Sequence, residues 1–134
     1  MSARESSITN FGDLWLCPPL LKRLPAEGYT PTPIQLQAIP NALAGLDVQG
    51  IAQTGAGNTV AFASPILHRL AANPKRVGPG GCRVLVLALT RELASQISES
   101  CRVYGKFMNL KTTIMFGGVP KGRQARASSA RWIA

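Results

Sequence analysis

Eight consecutive residues, Ala52-Gln53-Thr54-Gly55-Ala56-Gly57-Asn58-Thr59, have the spacing of a loop that cradles phosphate. In a loop of the form Gly/Ala-x-x-x-x-Gly-Lys-Ser/Thr between a strand and a helix, backbone N–H groups and the positive end of the helix converge on the anion. Thr59 supplies the hydroxyl that would hold a magnesium ion, and Asn58 stands where the pattern expects lysine. An asparagine amide donates only neutral hydrogen bonds, and a charge-assisted bond is roughly twice as strong. The loop is therefore expected to bind phosphate weakly and to support phosphoryl transfer poorly. Taken alone, a glycine-rich turn is more often a structural device; the threonine after it and the motifs downstream favour phosphate.

Two further groups could meet an anion. Thr90-Arg91-Glu92 follows an apolar run and opens a helix, so Thr90 and Arg91 could hold a phosphate at a helix N-terminus. Arg91 could instead pair with Glu92 or another acid. Gly117-Gly118 offers backbone without side chains, which a sugar-phosphate chain can approach closely. The net charge is +9, and from Arg102 onward seven basic residues (Arg102, Lys106, Lys111, Lys121, Arg123, Arg126, Arg131) stand without an acid. That stretch is either a solvated surface or one that meets phosphates.

The elements that must position these groups are legible as periodic segments. Residues 47–52, 84–89 and 112–116 read as strands. Val84-Leu85-Val86-Leu87-Ala88-Leu89, apolar throughout, suits a parallel strand buried on both faces. Helices are expected from Asp13, as cap, through Leu24; from Pro33 to Gly45; after the phosphate loop through Leu70, bent at Pro65; and from Arg91 to about Val103. Residues 73–81 read as an exposed loop. Strand, helix, strand, helix, strand is the order of βαβ units. Ligands of such sheets gather beyond the carboxyl ends of the strands, so Gln53–Thr59, Thr90–Glu92 and Gly117-Gly118 are expected on one surface.

With 134 residues, 46% hydrophobic and 16% charged, the chain has the makings of a globular domain with one core. No apolar run approaches the roughly 18 residues of a membrane span, and the polar start with Glu5 does not read as a secretory signal. Cys17, Cys82 and Cys101 are odd in number and lack metal-ligand spacing, which suits reduced packing cysteines in a cytoplasmic protein. Trp15, Met108 and Met115 suit a core, and His68 a surface.

Together these segments resemble the first RecA-like domain of DEAD-box ATP-dependent RNA helicases. The resemblance implies an α/β fold, a three-layer RecA-like (P-loop NTPase) parallel sheet, here incomplete. Gly28-Tyr29-Thr30-Pro31-Thr32-Pro33-Ile34-Gln35 resembles the Q motif, which implies that Gln35 reads adenine, and Phe11 lies where the family places the aromatic that stacks on the base. Residues 52–59 take the place of motif I, implying that Thr54, Gly55, Ala56, Gly57, Asn58 and Thr59 surround the phosphates of ATP, with Thr59 on Mg2+. Thr90-Arg91-Glu92-Leu93-Ala94 resembles motif Ia and Gly117-Gly118 the GG element, implying RNA contact by Thr90, Arg91, Gly117 and Gly118.

The chain also departs from that family pattern. The Q motif is one residue short between Thr30 and Pro31, Asn58 replaces lysine, and Leu89 replaces the proline before Thr90. The Asp-Glu-Ala-Asp motif, the Ser-Ala-Thr motif and the second domain with its arginine finger do not occur in these 134 residues. The sequence thus reads as a flexible residues 1–10, a partial ATP-binding domain at 11–126 and a divergent tail at 127–134. The expected function is that of a helicase fragment binding adenine nucleotide weakly, and RNA backbone, without unwinding RNA alone. A non-enzymatic RNA-binding module and a decayed, non-functional product are the alternatives.

Overall fold

The computed structural model describes residues 9–24, 30–75, 77–78, 81–120, 122 and 124. Residues 1–8, the whole expected tail at 127–134, and Gly28 and Tyr29 of the Q motif lie outside them. The chain divides into two compact units, Met1–Ala72 and Asn73–Ala134.

The first unit begins with a 3-10 helix, Phe11–Leu14. Asn10 and Asp13 close it reciprocally: Asn10 Oδ1 accepts from Asp13 N–H and Asp13 Oδ2 accepts from Asn10 N–H, both at 3.2 Å. Helix α1 is Pro18–Arg23. The sequence suggests one helix here, capped by Asp13; the structure has two elements. Trp15 turns left-handed at φ 53°, and Pro18 and Pro19 can only start a new helix, since neither donates a backbone hydrogen bond. The turn also carries Trp15 out of the core, with 69% of its surface exposed, a correction to its expected burial.

Helix α2, Pro33–Leu43, starts on a proline behind Thr32, as the sequence predicts, and Gly45 follows its end at φ 86°. Helix α3 runs Asn58–Ala72 and continues through Pro65. Within it, the Ser64 hydroxyl donates to the Val60 carbonyl at 2.6 Å, so a fully buried polar group is satisfied inside the helix. α2 packs on α3 and on the 3-10 helix, and α1 packs on α3. The core of this unit holds Phe11, Leu14, Leu20, Leu24, Ile39 and Leu67, all almost completely buried. Burying a leucine or phenylalanine side chain stabilises by about 1.5–3 kcal/mol, and this core fixes where α2 and α3 begin. Beside it lies a cavity of about 540 Å3, bordered by Ile34 and Ala38 of α2, Phe62 and Ile66 of α3, and Val48 and Gly50. His68 is half-buried, not the surface residue expected, and its Nδ1 is buried without a hydrogen-bond partner.

The second unit contains helix α4, Arg91–Tyr104, close to the bounds its periodicity predicts. Ile97 is its buried apolar residue among those described. In residues 84–89 exposure alternates with a period of two. Val84, Val86 and Ala88 are half-buried, while Leu85, Leu87 and Leu89 are 65%, 84% and 98% exposed. Met115 is also exposed, against the expectation that it fills a core. The expected burial on both faces is thus corrected to burial on one. Among the described residues none forms part of a ladder strand; isolated bridge residues stand at Cys82 and Thr112. All three cysteines are free, and no helix among the described residues is long and apolar enough to cross a membrane.

Candidate nucleotide and nucleic-acid site

The phosphate-type loop is built by the N-terminal ends of two helices. Gln35, at the third position of α2, is 4% exposed and not the polar surface residue that a helix start would allow. Its Oε1 accepts from Thr32 N–H at 3.1 Å and its Nε2 donates to the Gly57 carbonyl at 3.0 Å. Thr32 Oγ1 donates to the Ala56 carbonyl at 2.7 Å. One end of α2 therefore holds two consecutive carbonyls of the loop that leads into α3. A primary amide has two donors and two acceptor lone pairs; these bonds use one of each on Gln35.

The two glycines of the loop are both left-handed, Gly55 at φ 86° and Gly57 at φ 81°, which side chains rarely adopt. Their surroundings differ. A Cβ on Gly57 would stand 2.2 Å from Gln35 Nε2, so a side chain there would displace the amide that holds the loop. A Cβ on Gly55 would meet nothing within 4 Å, so its backbone is bare on an open side. Between them, Ala56 N–H closes a turn onto the Gln53 carbonyl at 3.1 Å. Asn58 and Thr59 form the first turn of α3, whose N–H groups have no acceptor within the helix. Asn58 is exposed and Thr59 half-buried. This arrangement of open loop and helix terminus fits a phosphate. Among the described residues no cluster of three His, Cys, Asp or Glu could hold a metal ion.

Phe11 is 2% exposed and belongs to the core of the first unit. Local packing, one of two uses open to it, is what this structure displays.

In the second unit Thr90 is the N-cap of α4. Its Oγ1 accepts from Leu93 N–H at 3.1 Å, leaving the hydroxyl hydrogen able to donate. Arg91 does not pair with Glu92: its Nη2 donates to the Gly117 carbonyl at 2.6 Å, and its guanidinium lies 5.7 Å from the centre of the Phe116 ring. Motif-type residues 26 positions apart are thus brought together, Arg91 on the turn that contains Gly117 and Gly118. Gly118 is left-handed at φ 73°, and a Cβ there would come within 3.3 Å of Arg91 Nη2. The residue that sequence reasoning passes over is Gln124, whose side chain binds the backbone of Phe116. Backbone partners leave no mark in the sequence, so no pattern could have singled it out.

The basic stretch is only partly described. Lys106 and Lys111 are exposed. Arg102 is exposed too, but forms two bonds to Glu99, Nε to Oε2 at 2.8 Å and Nη2 to Oε1 at 2.5 Å. That hydrogen bonding lowers the Glu99 carboxyl below its ordinary range. Lys121, Arg123, Arg126 and Arg131 lie outside the described residues.

Comparison with known proteins agrees with these motifs. The family model for DEAD/DEAH box helicases matches residues 32–133. The chain is 43% identical over 120 residues to the ATP-dependent RNA helicase DBP2 of Candida glabrata, covering 89% of this chain and 22% of that protein. It is 42% identical over 120 residues to the DEAD-box ATP-dependent RNA helicase 20 of Arabidopsis thaliana, covering 89% of this chain and 24% of the relative. The chain therefore spans less than a quarter of the length of these curated relatives. Among solved structures it is similar to the RNA helicase Prp28 of Chaetomium thermophilum bound to ADP, with TM-score 0.78 and 34% identity over 93% of this chain and 31% of the other. It is likewise similar to a DEAD box protein of Methanococcus jannaschii, with TM-score 0.79 and 28% identity over 95% of this chain and 34% of that one. The fold is that of the RecA-like domains of these helicases, and the chain belongs to the DEAD/DEAH box helicase family.

Proposed function

We propose that the chain is the nucleotide- and RNA-contacting part of an ATP-dependent RNA helicase, binding adenine nucleotide weakly and RNA through its backbone. The observation that carries the nucleotide half is the loop of residues 53–57. It is gripped from behind by Thr32 and Gln35 and open at Gly55, directly before the N-terminus of a 15-residue helix. The backbone of Thr54, Gly55, Ala56 and Gly57, with Asn58 and Thr59, surrounds the outer phosphates, and the Thr59 hydroxyl helps hold Mg2+. When bound, that ion draws negative charge from the phosphate oxygens. Gln35 turns its unused donor and acceptor to adenine. Asn58 brings no positive charge, so affinity for the outer phosphates is low.

Thr90, Arg91 and the Gly117-Gly118 backbone contact the RNA sugar-phosphate chain without reading its sequence. Residues 47–52, 84–89 and 112–116 are the strands of a three-layer parallel sheet of the kind expected for a domain at 11–126, with a loop following each strand at its carboxyl end. The chain separates no duplex by itself, since the described residues contain only one of the two domains that close on RNA in the family it resembles.

Competition against a fluorescent adenine nucleotide in Mg2+ tests this function. ADP should displace the probe more effectively than AMP, because the loop addresses the outer phosphate. Equal displacement by AMP and ADP, or no saturable binding, contradicts the nucleotide reading. Separation of an RNA duplex by the purified chain with ATP contradicts the statement about unwinding.

A further inference from the structure

The turn after residue 116 is held from two sides. Gln124 Oε1 accepts from Phe116 N–H at 2.8 Å and Gln124 Nε2 donates to the Phe116 carbonyl at 3.1 Å. The side-chain amide thus pairs with residue 116 as the peptide group of a neighbouring strand would. The same Nε2 lies 3.4 Å from the Val119 carbonyl. From the other side, Arg91 takes the Gly117 carbonyl at 2.6 Å and covers the Phe116 ring. The carbonyls of Phe116, Gly117 and Val119 are therefore all engaged by donors of the protein. A phosphate only accepts hydrogen bonds, and a carbonyl oxygen turned toward it would repel it. Holding these three oxygens on protein donors determines which way the intervening Gly117-Gly118 backbone presents its N–H groups.

We infer that Gln124 is a positioning residue for RNA: it fixes the Gly117-Gly118 turn in the conformation that meets the sugar-phosphate chain, without touching RNA itself. The inference rests on the reading of that turn as an RNA contact. Gln124 carries no charge, so its contribution differs in kind from that of Arg91. Each phosphate neutralised on a single strand contributes about 0.7 to the slope of log K against log salt, and a neutral hydrogen-bonding residue contributes nothing to it.

The test uses the whole chain, a single-stranded oligouridylate and a salt series, with amide exchange of Phe116 followed by NMR. Gln124→Met keeps the volume and removes all three hydrogen bonds of the side chain; Gln124→Ala repeats the measurement with no long side chain to misplace. Both should speed exchange of the Phe116 amide roughly five- to tenfold and weaken RNA binding by a similar factor, leaving the salt slope unchanged. Arg91→Ala should lower the slope by about 0.7. Unchanged affinity in both Gln124 variants overturns the inference while leaving the RNA reading intact. A drop in salt slope in those variants also overturns it, because it reports general loss of phosphate contacts. A wild-type chain that does not bind the oligonucleotide sinks the RNA reading, and the role of Gln124 with it.

Discussion

In the unit Met1–Ala72 a buried core extends from Phe11 to Leu70, whereas in Asn73–Ala134 Ile97 is the buried apolar residue among those described. Each unit carries one loop suited to a phosphate-bearing ligand, and the loops are held in different ways. Residues 53–57 are fixed by the helix terminus at Thr32 and Gln35, which the core beneath α2 and α3 keeps in place. Residues 116–119 are fixed by two long side chains, Arg91 and Gln124, reaching across to backbone. The contrast teaches that a ligand loop can be preorganised by packing or by polar tethers. The first is costly to disturb anywhere in the core, and the second fails at single residues.

Core substitutions should break this comparison most visibly. Leu67→Ala removes a fully buried side chain from α3 and should cost about 2–5 kcal/mol, measured as a lower urea midpoint. Ile97→Ala should cost about 2 kcal/mol, the low end of the same range, because Ile97 already borders a cavity of about 210 Å3 between α4 and residues 85–88 and 112–115. Equal losses would mean that the second unit is as well packed as the first. Absence of any cooperative transition in the wild type would favour the reading as a decayed product.

Smaller effects should separate the two loop glycines. Gly57→Ala combines left-handed strain, about 1–2 kcal/mol, with displacement of the Gln35 amide, so melting temperature and nucleotide affinity should fall together. Gly55→Ala incurs the strain alone and adds a methyl group on the open side. It should lower nucleotide affinity with the smaller loss of melting temperature. The reverse order would show that Gln35 does not hold the loop.

The smallest effect concerns thiol reactivity. Cys82 is exposed, while Cys101 on α4 is half-buried and its burial pushes the thiol up from its ordinary range. Mass-spectrometric labelling should therefore modify Cys82 before Cys101. Since the folded value is raised, the stability that Cys101 contributes is complete below the unfolded thiol range and is lost as pH climbs through the raised value. Faster labelling of Cys101 than of Cys82 at neutral pH would show that α4 opens locally.

Local signals made much of this molecule legible beforehand. Pro33 after Thr32, Thr90 before Arg91 and the glycine-rich run at 52–59 each mark a helix start by backbone chemistry, and α2, α3 and α4 begin where those residues place them. Reading failed where position depends on a backbone turn or on distant chain. Trp15 has the size of a core residue, but a left-handed turn at its own backbone, which residue type does not announce, leaves the ring exposed. The run from Val84 to Leu89 looked buried on both faces because all six residues are apolar, yet apolar residues do not guarantee a covering layer. Arg91 and Gln124 bond to carbonyls, and every residue has a carbonyl, so neither partner could be chosen from sequence.

The claim that residues 52–59 form a phosphate site weakened at one position is tested most directly by Asn58→Lys. Titration calorimetry with ADP and Mg2+ should give affinity at least about tenfold tighter than wild type, as a charge-assisted contact replaces a neutral one. If the well-folded variant binds ADP no better than the wild-type chain, the loop is not a phosphate site and the nucleotide reading is wrong.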